Sequence, residues 1–214
     1  MSDYINPDDF IITRKRKKYK FAKFKNSQIC YEKDEWTKRQ VDVVEIGAGT
    51  GLFLVELASK HPEKTFVAID VKGDRLQKGA YEAESRGLKN IFFIRARADQ
   101  VDELFLEQSV GEIWVTFSDP FPKRRSAGRR LSNAVFLKKY KKILTCDGVL
   151  RLKHDNIDFF CYSLEQIVSE GWKIVELSFD LYDSDLDDEY KIMTTYEKRW
   201  TDEGRIINYV TARR

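Results

Sequence analysis

The chain has 214 residues, of which 42% are hydrophobic and 13% aromatic; this excludes global disorder and gives enough apolar mass for a core without covalent staples. Its three cysteines (Cys30, Cys146, Cys161) and two histidines (His61, His154) stand far apart, which excludes a disulfide framework and a cysteine- or histidine-rich metal centre. No apolar run approaches the ~18 residues of a membrane span, and the opening MSDYINPDDF lacks the apolar stretch of a signal peptide. A reduced, cytoplasmic, metal-free protein with one large domain and an appendage is expected.

The net charge of +3 conceals strong segregation. From Arg14 to Lys25 eight of twelve positions are basic, and Tyr19, Phe21 and Phe24 are interleaved with them. Cations that neutralise phosphates beside rings that stack on bases suit a nucleic-acid surface. A solvated tail or contact with an anionic membrane is the bland alternative. Because residues 1–35 depart from the pattern that follows, they read as a basic arm on a domain spanning 36–214.

Within that domain two periodicities alternate. VDVVEI (41–46) is a β-branched strand followed by the glycine turn GAGTG, and LFLVELASK (52–60) has apolar residues at helical spacing. Further strands are expected at 65–70, 91–96, 112–118, 149–153, 172–179 and 206–210. Helices are expected at 75–86, 136–144 and 162–168. This alternation predicts an α/β fold with a doubly wound, Rossmann-like sheet, mostly parallel with an antiparallel C-terminal strand.

Ligands of such sheets lie beyond the carboxyl ends of the strands. There the chain places Glu45-Ile46-Gly47-Ala48-Gly49-Thr50-Gly51. A dinucleotide fingerprint needs a small residue where Leu52 stands, and the anionic Glu45 opposes a pyrophosphate but suits an ammonium group. Asp70, at the end of the next strand, is placed to accept hydrogen bonds from ribose hydroxyls. S-adenosylmethionine, an adenosine joined to a cationic amino acid, meets these demands; a glycine turn with no ligand is the alternative. SDPFPKRRSAGRRLS (118–132) follows the strand expected beside the glycine loop, with Asp119 at the strand end and five cations, Lys123, Arg124, Arg125, Arg129 and Arg130, just beyond. Asp119 then faces the reacting group and the cations face phosphates. A helix cap or turn for Asp119, and a solvated loop for the cations, are the structural alternatives.

These residues resemble the tRNA (guanine-N7-)-methyltransferase family. The likeness runs from Arg14 onward and rests on EIGAGTG, Asp70, SDPFPKRR…RRL, KHDN (153–156) and MTTYEKRW…EGRII from Met193. The resemblance implies that S-adenosylmethionine is held by Glu45, Gly47, Gly49, Gly51, Asp70, Arg97, Ala98, Asp99 and Asp119, and that Asp119 is the catalytic carboxylate. Lys123, Arg124, Arg125, Asp155, Thr194, Thr195, Tyr196 and Glu197 would then surround the guanine or its nucleotide. The implied reaction is methylation of N7 of a guanosine in tRNA, in the variable loop at position 46, by a monomer or homodimer; a non-catalytic RNA-binding relative is the alternative.

The chain departs from the family pattern at four places. Arg97 stands where an acid is usual, Phe121 replaces tryptophan, Ser126 replaces histidine, and His154 replaces threonine. A guanidinium has only donors and cannot accept from an adenine amino group. Asp99 is therefore expected to take over that bond, with Arg97 lying on the adenine face or turned outward. His154 carries no assigned role.

Overall fold

The computed structural model describes residues 4–193 and 195–214. Its strands are β1 (Cys30–Glu32), β2 (Val41–Ile46), β3 (Phe66–Asp70), β4 (Ile91–Arg95), β5 (Val110–Thr116), β6 (Leu144–His154), β7 (Lys173–Ser178) and β8 (Asn208–Arg213). They form an 8-stranded sheet in the order β1-β4-β3-β2-β5-β6-β8-β7. β8 runs antiparallel to β6 and β7, and the other pairs are parallel. The helices are α1 (Lys15–Asn26), α2 (Leu52–Lys60), α3 (Gly73–Ser85), α4 (Val101–Leu104), α5 (Ala134–Ile143), α6 (Ile157–Ser169) and α7 (Thr195–Asp202).

A parallel strand buried on both faces reads as a continuous apolar run, and β3 shows why. Phe66 and Ala68 join one core with Leu54 and Leu57 of α2 and Leu76 of α3. Val67 and Ile69 join the opposite core with Leu137 and Tyr140 of α5 and Phe159 of α6. The order reverses at β2, which lies between β3 and β5. Loops leaving β2 and β5 therefore diverge over one crevice, the usual ligand position in open α/β sheets.

Most expected elements shift only at their ends. α6 begins at Ile157 rather than 162 because Asn156 accepts from the Phe159 N–H and caps the first turn. β6 begins at Leu144 rather than 149, since Leu144 already pairs with Val110 before a register shift that loops out the Asp147–Gly148 turn.

The expected arm is the larger difference. From Lys15 to Glu32 it is built into the domain: α1 buries Ala22 and Phe24, and β1 pairs with β4 as the sheet's edge. Phe24 meets α3 at Gly73, where an added Cβ would lie 3.2 Å from its ring. Phe21 packs edge-on to Phe10 and under Arg95, so of the three interleaved rings only Tyr19 is exposed. Lys18 pairs with Asp8 and Lys25 with Glu35, while Arg14, Lys15, Arg16, Lys17 and Lys23 face solvent. Amphipathicity explains this placement: the apolar residues of the run fall on the helix face turned to α3.

Gly79 fixes how closely α3 approaches the glycine loop. A Cβ there would lie 2.3 Å from the Thr50 carbonyl oxygen and 2.7 Å from the Phe93 ring. In an unconstrained helix Gly→Ala stabilises by about 1 kcal/mol. Here Gly79→Ala should instead destabilise by roughly 1–3 kcal/mol, because backbone must move to make room. Urea denaturation of the two proteins checks the sign.

Candidate functional site

The crevice at the reversal point is a cavity of about 390 Å³ whose walls come from the ends of β2, β3 and β5 and the loops that follow them. The turn after β2 runs through Gly47, Gly49 and Gly51 at φ of 77°, 58° and 70°, a region that residues with a Cβ enter at a cost. Gly47 has a second reason to be glycine: a Cβ would lie 2.9 Å from Leu131, across the cavity mouth.

Glu45 and Asp70 supply two acidic side chains to the cavity wall. Glu45 is 1% exposed; its Oε1 accepts from the Thr116 hydroxyl at 2.6 Å, and its Oε2 has no partner. Burial pushes its carboxyl up to about 8, opposed by the Thr116 hydrogen bond and the charge of Lys153. Asp70 accepts from the Gly49 N–H at 3.0 Å through one oxygen and from the Lys72 N–H at 2.8 Å through the other. Burial raises its pKa too, against those two backbone bonds. The two backbone bonds lock the Asp70 carboxylate toward the glycine turn.

Asp119 stands exposed on the wall made by the loop after β5. That loop is strained on both sides of it, with Phe117 at φ 46° and Phe121 at φ 41°. Bulky residues in the left-handed region cost about 1–3 kcal/mol each and persist only where neighbours enforce them. Phe117 is enforced by Trp200, with ring centroids 5.0 Å apart, and by its N–H bond to the Lys153 carbonyl at 3.0 Å.

Of the expected cofactor-binding residues, Glu45, Gly47, Gly49, Asp70, Ala98 and Asp119 line this one cavity. Three do not. Gly51 is buried as the N-cap of α2, packed against Phe93 and Ala68. Arg97 and Asp99 form a two-pronged ion pair, Nε to Oδ1 at 2.9 Å and Nη2 to Oδ2 at 2.6 Å, outside the cavity wall. The Arg97 side chain is 71% exposed, so it is turned outward and holds the very carboxylate expected to accept from an adenine.

The expected substrate residues are dispersed. Lys123, Arg124 and Arg125 are exposed in the loop that follows Asp119 and do not line the cavity, whereas Arg129 does line it and lies over the Phe121 ring at 4.4 Å. Asp155 is nearly buried and paired with Arg205 at 2.8 Å. Thr195 and Tyr196 open α7, and Thr194 lies outside the described residues. Glu197 is fully buried away from the cavity wall, where both its oxygens accept from the Lys153 ammonium at 3.1 and 3.2 Å and one also accepts from the Tyr182 hydroxyl at 2.7 Å. Burial lowers the Lys153 pKa, and the charge of Glu197 opposes that shift.

Sequence reasoning passed over Thr116 and Lys153. Thr116 and Lys153 are register partners on β5 and β6, and together they connect Glu45 to Glu197 beneath the cavity. The signal was present in Lys153, a charged residue at the inward end of VLRLK that falls between two buried neighbours, Leu152 and His154. Among the described residues no group of three or more potential ligands could hold a metal ion, and no helix is long and apolar enough to cross a membrane.

Residues 39–209 match the family described as "Putative methyltransferase". A tRNA (guanine-N(7)-)-methyltransferase of Bacteroides fragilis (strain YCH46) is 40% identical over 169 residues, 78% of this chain and 66% of its own length. The chain thus spans about two thirds of that relative. One from Mycoplasmopsis agalactiae (strain NCTC 10123 / CIP 59.7 / PG2) is 39% identical over 172 residues, 80% of this chain and 83% of its own. Among solved structures, an antibiotic related methyltransferase superposes with a TM-score of 0.62 at 17% identity, over 83% of this chain and 89% of that one, a likeness of fold. At this identity and coverage, with the methyltransferase sheet and its glycine-lined crevice in place, the chain belongs to the tRNA (guanine-N7-)-methyltransferase family.

Proposed function

We propose that this protein methylates N7 of a guanosine in tRNA, at position 46 of the variable loop, using S-adenosylmethionine. What carries the reading is one cavity lined by a buried carboxyl group with an unpartnered oxygen, Glu45, by an exposed carboxylate, Asp119, and by Arg129, with the exposed cations Lys123, Arg124 and Arg125 in the same loop. The Glu45 Oε2 fits the ammonium of the cofactor's amino-acid moiety, and Asp70 fits its ribose hydroxyls. Ala98 would border the adenine, held by backbone and packing, since Asp99 is engaged by Arg97.

S-adenosylmethionine, when bound, supplies a methyl group on a positively charged sulfur. Guanine N7 offers a lone pair and no proton, so the protein needs no general base. Its task is alignment of the two reactants. The purine becomes cationic as N7 is methylated, and the Asp119 carboxylate stabilises that charge and accepts from the base's donor edge. Lys123, Arg124 and Arg125 hold the RNA backbone as phosphate contacts. Glu197 contributes from below, by keeping Lys153 charged under the floor. The protein would act in the cytoplasm, as a monomer or homodimer.

Methyl transfer is the first test. With unmodified tRNA and labelled S-adenosylmethionine, the label should map by mass spectrometry to a variable-loop guanosine. Asp119→Asn should lower the rate by about a hundredfold, the scale of one lost electrostatic stabiliser. RNA binding without transfer by the wild-type chain would instead support a non-catalytic relative.

The second measurement concerns Glu45. Its raised pKa means that its contribution to stability is full below the ordinary glutamate range and is lost as pH rises through about 8. In cofactor-free protein at pH 8, Glu45→Gln should therefore raise the melting temperature. An ammonium partner favours the ionised carboxylate, so wild-type cofactor affinity should fall about tenfold or more from pH 8 to 6, while Glu45→Gln binds weakly with little pH dependence. Titration calorimetry across that window decides it.

A further inference from the structure

The geometry points to His154 and Arg130 as positioning residues that pin the carbonyls on either side of Asp119 and so fix the catalytic loop. The inference rests on Asp119 having the role proposed above, and it gives two side chains outside that chemistry a defined task.

The loop cannot be held in the ordinary way. Pro120 and Pro122 remove two backbone donors from the segment, so it is secured mainly through its acceptors. The Ser118 carbonyl accepts from His154 Nε2 at 2.8 Å. The Pro120 carbonyl accepts from Arg130 Nε at 2.9 Å, and the Phe121 carbonyl from Arg130 Nη2 at 3.1 Å. Asp119 is bracketed by two pinned residues, within a stretch whose ends, Phe117 and Phe121, are both strained.

Both side chains are themselves held in place. His154 is 3% exposed, with Phe159 4.4 Å away, centroid to centroid, and Phe117 6.1 Å away. Its Nδ1 accepts from the Asn156 N–H at 2.8 Å, which leaves the proton on Nε2, where the Ser118 carbonyl requires a donor. Asp155 lies 3.4 Å from the same Nδ1. Arg130 stands apart from the other cations of its cluster. It is half-buried, with its guanidinium 4.2 Å from the Tyr162 ring centroid, whereas Lys123, Arg124, Arg125 and Arg129 are exposed. Counted with those four in the sequence, Arg130 is a phosphate contact; in the structure its donors are already directed at the loop backbone.

The test uses His154→Phe, which keeps a packed ring without the donor, and His154→Gln, which keeps an N–H at similar reach. Arg130→Ala is the third variant. His154→Phe and Arg130→Ala should lower kcat by about tenfold to a hundredfold, with KM for tRNA and Kd for S-adenosylmethionine within about twofold, and His154→Gln should recover kcat to within about threefold of wild type. Arg130→Ala should leave the salt slope of tRNA binding unchanged, where Arg124→Ala lowers it by just under about one. In cofactor-free protein, deuterium uptake by the 117–123 segment should rise in His154→Phe and Arg130→Ala and return in His154→Gln.

Unchanged uptake and kcat in both loss variants, failure of glutamine to rescue, or a lowered salt slope in Arg130→Ala would overturn the proposal. If His154→Phe does not fold, Arg130→Ala and His154→Gln carry the same readouts. If the wild-type chain transfers no methyl group to tRNA, the functional reading fails, while the exchange measurement still decides whether these residues hold the loop.

Discussion

A buried carboxylate at the end of β2 organises the rest of the site. Glu45 is shut away from water with a hydrogen bond to only one of its two oxygens, so the folded chain holds it at the expense of its charged form. Its one bond comes from Thr116 on the neighbouring strand, which ties the glycine turn to the loop that carries Asp119. Thr116 in turn lies beside Lys153, whose ammonium is enclosed by Glu197 and by the carbonyls of Tyr190 and Ile192. A chain of polar groups thus runs under an otherwise apolar floor. Such networks are stable only when each member is satisfied, and the Oε2 left without a partner belongs to Glu45, a residue that lines the cavity.

The same economy is visible on the opposite wall. The segment 117–122 has two prolines where a regular element would have donors, and it carries two phenylalanines in the left-handed region. It keeps its shape because groups from β6 and from the loop before α5 reach into it. The site is therefore distributed: β2 and β3 provide the acids at the back, β5 provides the loop, and β6 and Arg130 provide the restraint.

The basic regions divide along a related line. In both clusters some cations are engaged by a carboxylate or a backbone carbonyl within the fold, and others are exposed. Lys18, Lys25 and Arg130 belong to the first kind, and Arg14 to Lys17 and Lys123 to Arg125 belong to the second. A count of charges in a run does not separate them, because the helix in one case and a tight loop in the other decide which way each side chain leaves the backbone.

The sequence by itself determined the sheet and the back of the cavity. Short β-branched runs bounded by turn signals read as strands buried on both faces, and a glycine turn after the first of them, with an acid before it and Asp70 at the next strand end, marks where the crevice opens. Asp119 was legible for the same reason, being one residue past a strand that had to lie near that turn. What only the tertiary structure decided depended on partners distant in the chain. Residues 15–32 joined the domain because Phe24 met α3 and Cys30 paired beside Phe93. Arg97 turned away from the cavity because Asp99 offered it two oxygens, and Glu197 was buried because Lys153, 44 residues earlier, needed a counter-charge there. Charge and hydrogen-bonding capacity are properties of the residue, but the partner that satisfies them is chosen by the fold.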